Sequence, residues 1–208
     1  MRILLVLFFL AFLSAEESEE IQDFYSPSQI SGDYFSVFKT GYAYAKIDGG
    51  EIKRTTNKGS DFFNHNKNEH SIYGAFERGL VVKTAYPVLV SGVLDFGINE
   101  NFFLGFGVRF ATRLFNDYVT PHIFGGYLIQ RELFEVIKGA KPEALGVSAF
   151  TYGLGLHVNI FRDLGLDLSY RGGTDLEIND VTYNLAYNKP KITHHALIIS
   201  LSFYNFSF

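Results

Sequence analysis

The stretch Val147 to Ile160, VSAFTYGLGLHVNI, puts Phe150, Tyr152, Leu154, Leu156, Val158 and Ile160 on every second position. Ala149, Thr151, Gly153, Gly155, His157 and Asn159 fill the alternate set. A period of two belongs to a β-strand, whose successive side chains point to opposite faces. One face is wholly apolar, and the other is small or polar.

The same division recurs along the chain. Val90, Leu94, Phe96 and Ile98 oppose Ser91, Asp95 and Gly97, and a short turn at Asn99 to Asn101 follows. Phe102, Leu104, Phe106, Val108 and Phe110 then oppose Gly105, Gly107, Arg109, Ala111 and Arg113. A strand over Pro121–Gln130 follows a turn at Asn116-Asp117. Leu164, Leu166, Leu168 and Tyr170 oppose Gly165, Asp167, Ser169 and Arg171. Earlier strands are read at Tyr34–Asp48 and, with poor alternation, at His70–Lys83, where Arg78 and Gly79 suggest a bulge. The last strand, Ile192–Phe208, has no formal charge and ends on an aromatic residue. An apolar edge of that kind invites aggregation unless it is paired, and pairing it with the first strand closes a barrel.

Eight strands result, an all-β, antiparallel, up-and-down barrel; ten strands stay open if residues 70–90 hold a further hairpin. Long polar connections over residues 49–69, 131–146 and 172–191 fall on one rim, where only the Asn99 turn is unusually short, and short turns fall on the other, the asymmetry of transmembrane barrels. A soluble sandwich also has strands with one apolar face. Continuity of the apolar faces and an export signal favour the membrane. Residues 1–15 carry that signal: Arg2, an apolar run from Ile3 to Leu13, and a small-residue cleavage site at Ser14-Ala15. The run is shorter than the ~20 residues of a membrane-spanning helix. Residues 16–33 hold six acids and no base and read as a flexible N-terminal segment, leaving 34–208 as the barrel domain.

Export signal, alternating strands, loop asymmetry and terminal Phe208 together resemble the small bacterial outer-membrane barrels of the OmpA/OmpX type. The resemblance implies outer-membrane localisation and recognition of the last strand by the barrel-assembly machinery, a role that maps to Tyr204, Phe206 and Phe208. Continued inward, that parity reaches Ser202 and Ser200, while Phe203, Leu201, Ile199 and Leu197 take the other. Either a bulge shifts the phase or the second set faces lipid.

With apolar faces outward, Lys39, Asp95, Arg109, Arg113, His122, His157, Asp167 and Arg171 point into a lumen only wide enough to be filled by side chains. Buried charges need partners, so these groups form a polar network. A three-residue turn at Phe161 to Asp163 places His157 opposite Asp167 and Gly153 opposite Arg171. Ser169 beside them suggests a Ser-His-Asp site, but a narrow lumen offers no room for substrate. His194 and His195 point to opposite faces, His65 and His70 have no cysteine to complete a zinc site, and no phosphate-binding loop occurs. Neither an enzyme, a cofactor nor a metal is expected. Residues 16–208 carry 22 acidic against 17 basic side chains, with no basic patch for nucleic acid. The expected function is that of a monomeric barrel among outer-membrane lipids, structural or recognising a ligand through residues 49–69 and 172–191. The alternatives are a small pore or a lipid-modifying enzyme.

Overall fold

The computed structural model describes residues 34–56, 59–82, 87–98, 102–115, 118–133, 135–138, 144–161, 163–179, 186–187 and 193–204. Ten strands occur among them: β1 (Tyr34–Thr56), β2 (Gly59–Val82), β3 (Val88–Ile98), β4 (Phe102–Thr112), β5 (Val119–Leu133), β6 (Glu135–Lys138), β7 (Ala144–Phe161), β8 (Leu164–Asn179), β9 (Ala186–Tyr187) and β10 (Thr193–Tyr204). Eight of them close a barrel in the order β1-β2-β3-β4-β5-β7-β8-β10, and β10 pairs antiparallel with β1. Closure gives every barrel strand two neighbours, so the apolar last strand has no free edge.

Following directly paired residues once around, from Arg78 through Gly92, Val108, Gly125, Tyr152, Gly172, His195 and Lys46, returns to β2 at Asn68. The circuit slips by ten residues, a stagger that tilts the strands by about 40° from the barrel axis. Hereafter the upper end is that of the β1–β2 hairpin tip, and the lower end holds Tyr34 and Tyr204.

The two additional strands lie elsewhere than expected. Among the described residues no extra hairpin forms between positions 70 and 90; β6 and β9 sit in the connections after β5 and β8 and pair with the upper parts of β2 and β1. Residues 49–69 are mostly strand. β1 and β2 stay paired up to Thr56 and Gly59, because neighbouring polar segments satisfy each other's backbone groups whatever their side chains. The bulge anticipated at Arg78-Gly79 is absent, and the register there is unbroken. An irregularity occurs instead between Asp48 and Glu51. The upper parts of β5, β7 and β8 likewise extend into residues read as loop.

In β10 the second parity faces outward. Leu197, Ile199, Leu201 and Phe203 are exposed, while Ser200, Ser202 and Tyr204 are buried in the lumen. Of the two alternatives for this strand, the one with the second set facing outward holds, and Tyr204 lies on the lumen side. The strand runs without a phase shift, so the serines set its inner face. Phe206 and Phe208, residues 1–33 and the Asn116-Asp117 turn lie outside the described residues.

The outer surface is inverted relative to a water-soluble fold. Phe150 is 77% and Leu154 63% exposed, whereas Asp95 and His157 are fully buried. Inside, glycines make room for the large side chains. Gly107 and Gly126 face each other across β4 and β5, and the Phe124 ring lies against both. A Cβ at Gly107 would stand 2.7 Å from the Gly126 Cα and 2.7 Å from the Phe124 ring. Gly107→Ala is expected to destabilise the barrel by about 1–3 kcal/mol through overpacking. The urea midpoint in detergent micelles measures this, and an unchanged midpoint contradicts it.

Candidate functional site: the lumen network

Strand parity decides which side chains meet inside. The lumen is filled in layers. At the lower end Phe35, Val37, Leu89, Ala111 and Tyr204 form an apolar cluster. Above the ion network, Ala43, Tyr73, Ala75, Val93, Phe124 and Ile198 form another, with Phe103 packed against it.

Between these clusters sits a charge square. Lys39 of β1 reaches Glu77 of β2 at 2.9 Å and Asp167 of β8 at 2.8 Å. Arg109 of β4 reaches the same two carboxylates at 2.8 and 3.3 Å. Two cations thus share two anions, and each group is buried. His122 of β5 adds a contact to Asp167 at 3.1 Å, and the Ser169 hydroxyl donates to the other Asp167 oxygen. Matching charge is what permits these groups to leave water, since a lone buried ion costs several kcal/mol.

A second pair stands one level higher. Arg171 of β8 binds Asp95 of β3, donates to the Tyr73 hydroxyl at 3.2 Å, and stacks over the Phe124 ring at 4.1 Å. Asp95 itself lies against the glycine directly opposite, Gly105, and the His122 ring lies against Gly155. Higher still, Gln130 donates to Glu69 at 2.6 Å, and Lys67 pairs with Glu69 at 3.1 Å.

The structure brings Lys39, Arg109, His122 and Asp167 into one cluster and Asp95 with Arg171 into another. His157 is opposite Asp167 in register, and Gly153 is opposite Arg171. The expected turn is altered locally: Phe161, not Ile160, pairs with Leu164, and an irregularity between Asn159 and Phe161 absorbs the difference. His157 keeps its Nδ1 3.9 Å from Asp167 and turns Nε2 to the Asn159 side chain at 2.8 Å. Arg113 is half-buried just beyond β4, and its backbone N–H donates to the Pro87 carbonyl at 3.4 Å.

Glu77 is the central residue that sequence reading missed. The available signal was the parity Glu69, Ser71, Tyr73, Ala75, Glu77, obscured because Arg78 and His70 place polar groups on the other face. Glu69, Tyr73 and Gln130 also line the lumen without having been singled out, as do His194, Ser200 and Ser202 of β10, whose parity the sequence had left open.

Ser169, Asp167 and His157 share the cluster but do not form a nucleophile–base pair. The Ser169 hydroxyl hydrogen-bonds the carboxylate, and the imidazole faces Asn159. Among the described residues no group of three His, Cys, Asp or Glu side chains is placed to hold a metal ion. The cavities lined by these layers measure about 10 Å³ beside the charge square and about 30 Å³ above the Arg171–Asp95 pair. Space of that size holds a water molecule or two.

No protein-family model matches the sequence, and no curated protein matches it. Similar solved structures include the attachment invasion locus protein of Yersinia pestis in complex with the heparin analogue sucrose octasulfate. It is 16% identical, with 83% of this chain and 99% of that chain covered and a TM-score of 0.49. Neisserial surface protein A is 11% identical over 82% of this chain and 96% of that one, with a TM-score of 0.47. The outer membrane protein OprG from Pseudomonas aeruginosa is 8% identical over 88% and 100%, with a TM-score of 0.45.

Glu77→Gln leaves Lys39 and Arg109 facing one carboxylate instead of two. It is expected to cost about 3–5 kcal/mol, the range for breaking a buried ion pair. Adding Lys39→Met restores charge balance around Arg109 and Asp167 and should recover more than half of that loss. A double-mutant cycle from urea unfolding measures the coupling. Simple additivity contradicts a shared network.

Proposed function

We propose that this chain is an integral protein of a bacterial outer membrane, whose filled barrel is an anchor with a structural or surface-recognition role. One observation supports this above the others: the outward faces of β3, β4, β7 and β8 carry no charged residue among their described positions. The eleven residues of β4, at about 3.3 Å each and tilted by about 40°, span about 25 Å, the height of the apolar band of outer-membrane barrels. Water would expose all of that surface, whereas lipid would solvate it.

The reading includes export by a cleaved signal in residues 1–15 and assembly through the terminal aromatic strand. It also includes a monomeric state and recognition, where it occurs, by the upper connections around residues 49–69 and 172–191. A conducting pore needs a continuous wet path, and the charge square with its two apolar layers supports a closed lumen instead. An enzyme needs a reachable reacting group, and the candidate triad is buried with its serine committed to a carboxylate.

The refolded protein is expected to migrate differently on a gel before and after boiling, to give a β-rich circular dichroism spectrum in detergent, and to show no steady conductance steps in planar bilayers. Stable channel openings contradict the closed lumen. A folded monomer in detergent-free buffer contradicts the membrane reading.

A further inference from the structure

At the upper end of the outer face, among the described residues of β8, β10, β1 and β2, the apolar belt gives way to a lysine and two histidines, and tyrosines organise them. On a single paired row lie Tyr152, Gly172, His195 and Lys46. His70 is next to this row, opposite Tyr44 on the β1–β2 side. The Tyr170 hydroxyl meets the His195 Nδ1 at 2.5 Å and its ring stacks on that imidazole, with centroids 6.0 Å apart. The Tyr42 hydroxyl meets the Nδ1 of His70, and the Tyr44 ring packs beside it at 5.2 Å.

A hydroxyl donating to Nδ1 leaves the proton of a neutral imidazole on Nε2. Both rings are exposed, and in the tautomer in which the hydroxyl donates each presents an N–H donor at the surface. Lys46, directly opposite His195, has its side chain 61% exposed and makes a loose ion contact to Asp48 at 4.0 Å. Directly below His195 on the same outward column run Leu197, Ile199 and Leu201, all exposed. One ammonium group and two imidazoles stand at one end of an apolar track. A ligand matching both carries an anionic head and hydrocarbon tails.

We propose that the outward face of β8, β10, β1 and β2 binds the phosphorylated head group of one outer-leaflet lipid. Lys46 and the Nε2 groups of His195 and His70 hold the phosphate, and an acyl chain lies along Leu197, Ile199 and Leu201. The site rests on the membrane reading above and adds to it a defined lipid contact. A phosphate suits the donors because charge-assisted hydrogen bonds to its oxygens are about twice as strong as neutral ones. Basic side chains at a membrane boundary attract such head groups.

The test uses the full mature chain refolded in a phosphate-free maltoside detergent, with native mass spectrometry reading bound lipid. Diphosphoryl lipid A, its dephosphorylated form and inorganic phosphate are titrated separately. One copy of the phosphorylated lipid is expected to be retained, with the dephosphorylated lipid bound at least tenfold more weakly. Lys46→Gln with His195→Gln should weaken retention of the phosphorylated lipid about tenfold or more, and Lys46→Arg should preserve it. Equal retention by the double variant overturns the proposal, as does equal binding of the dephosphorylated lipid. Inorganic phosphate bound as tightly as the lipid would make this an anion site with no lipid specificity, also overturning it. The same samples are run boiled and unboiled. Loss of the compact heat-modifiable form means the membrane reading has failed; a compact barrel indifferent to these substitutions means only the head-group site has.

Discussion

Two cations and two carboxylates, Lys39, Arg109, Glu77 and Asp167, hold the interior of this barrel together. They come from β1, β4, β2 and β8; Lys39 and Glu77 lie on paired strands, while the other three contacts cross the lumen and skip intervening strands of the sheet. Hydrogen bonds along the sheet tie only neighbours, whereas three sides of this square tie strands that are not paired. Its cost in lost hydration is high, and its balance of two against two makes it tolerable. With His122 and Ser169 filling out the coordination of Asp167, the charges behave as one unit. Apolar layers lie above and below it.

That interior depends on the sheet's stagger. A slip of ten residues in one circuit decides which inward positions share a level, and so which charges meet. It also decides the exterior. The row that begins at Arg78 climbs to Lys46, placing Lys46, His195 and His70 where the apolar belt ends. Inside, every charged group of the square is neutralised by others. Outside, the exposed donors at the upper lip face whatever solvates the belt.

Much of this was legible in the sequence where one face of a strand was apolar throughout. β4 and β7 show it, since Phe102 to Phe110 and Phe150 to Ile160 alternate cleanly with small or polar residues. The β7–β8 register followed from the short turn, placing His157 opposite Asp167. β2 was obscure because Glu77 faces in and Arg78 faces out, so period two carries no contrast of polarity there. Residues 49–69 were read as loop because composition reports side-chain polarity, while the extended hairpin rests on backbone pairing. The phase of β10 was ambiguous for a related reason: Tyr204 caps the lower lumen, an aromatic on the otherwise serine-marked inner face. The contacts themselves were out of reach. Asp167 meets Lys39, Arg109 and His122 more closely than the histidine opposite it, and only the closed, staggered barrel brings those strands together.

The central claim is an inside-out surface: polar lumen, lipid-solvated exterior. The chain contains no cysteine, so single cysteines along β10 can each carry a spin label without interference. In liposomes, collision with oxygen, which concentrates in lipid, should alternate along positions 197–203. Odd positions, where Leu197, Ile199, Leu201 and Phe203 stand, should be high, and even positions, where Ile198, Ser200 and Ser202 stand, low. High oxygen collision at even positions, or strong collision of odd positions with a water-soluble nickel reagent, would contradict the account.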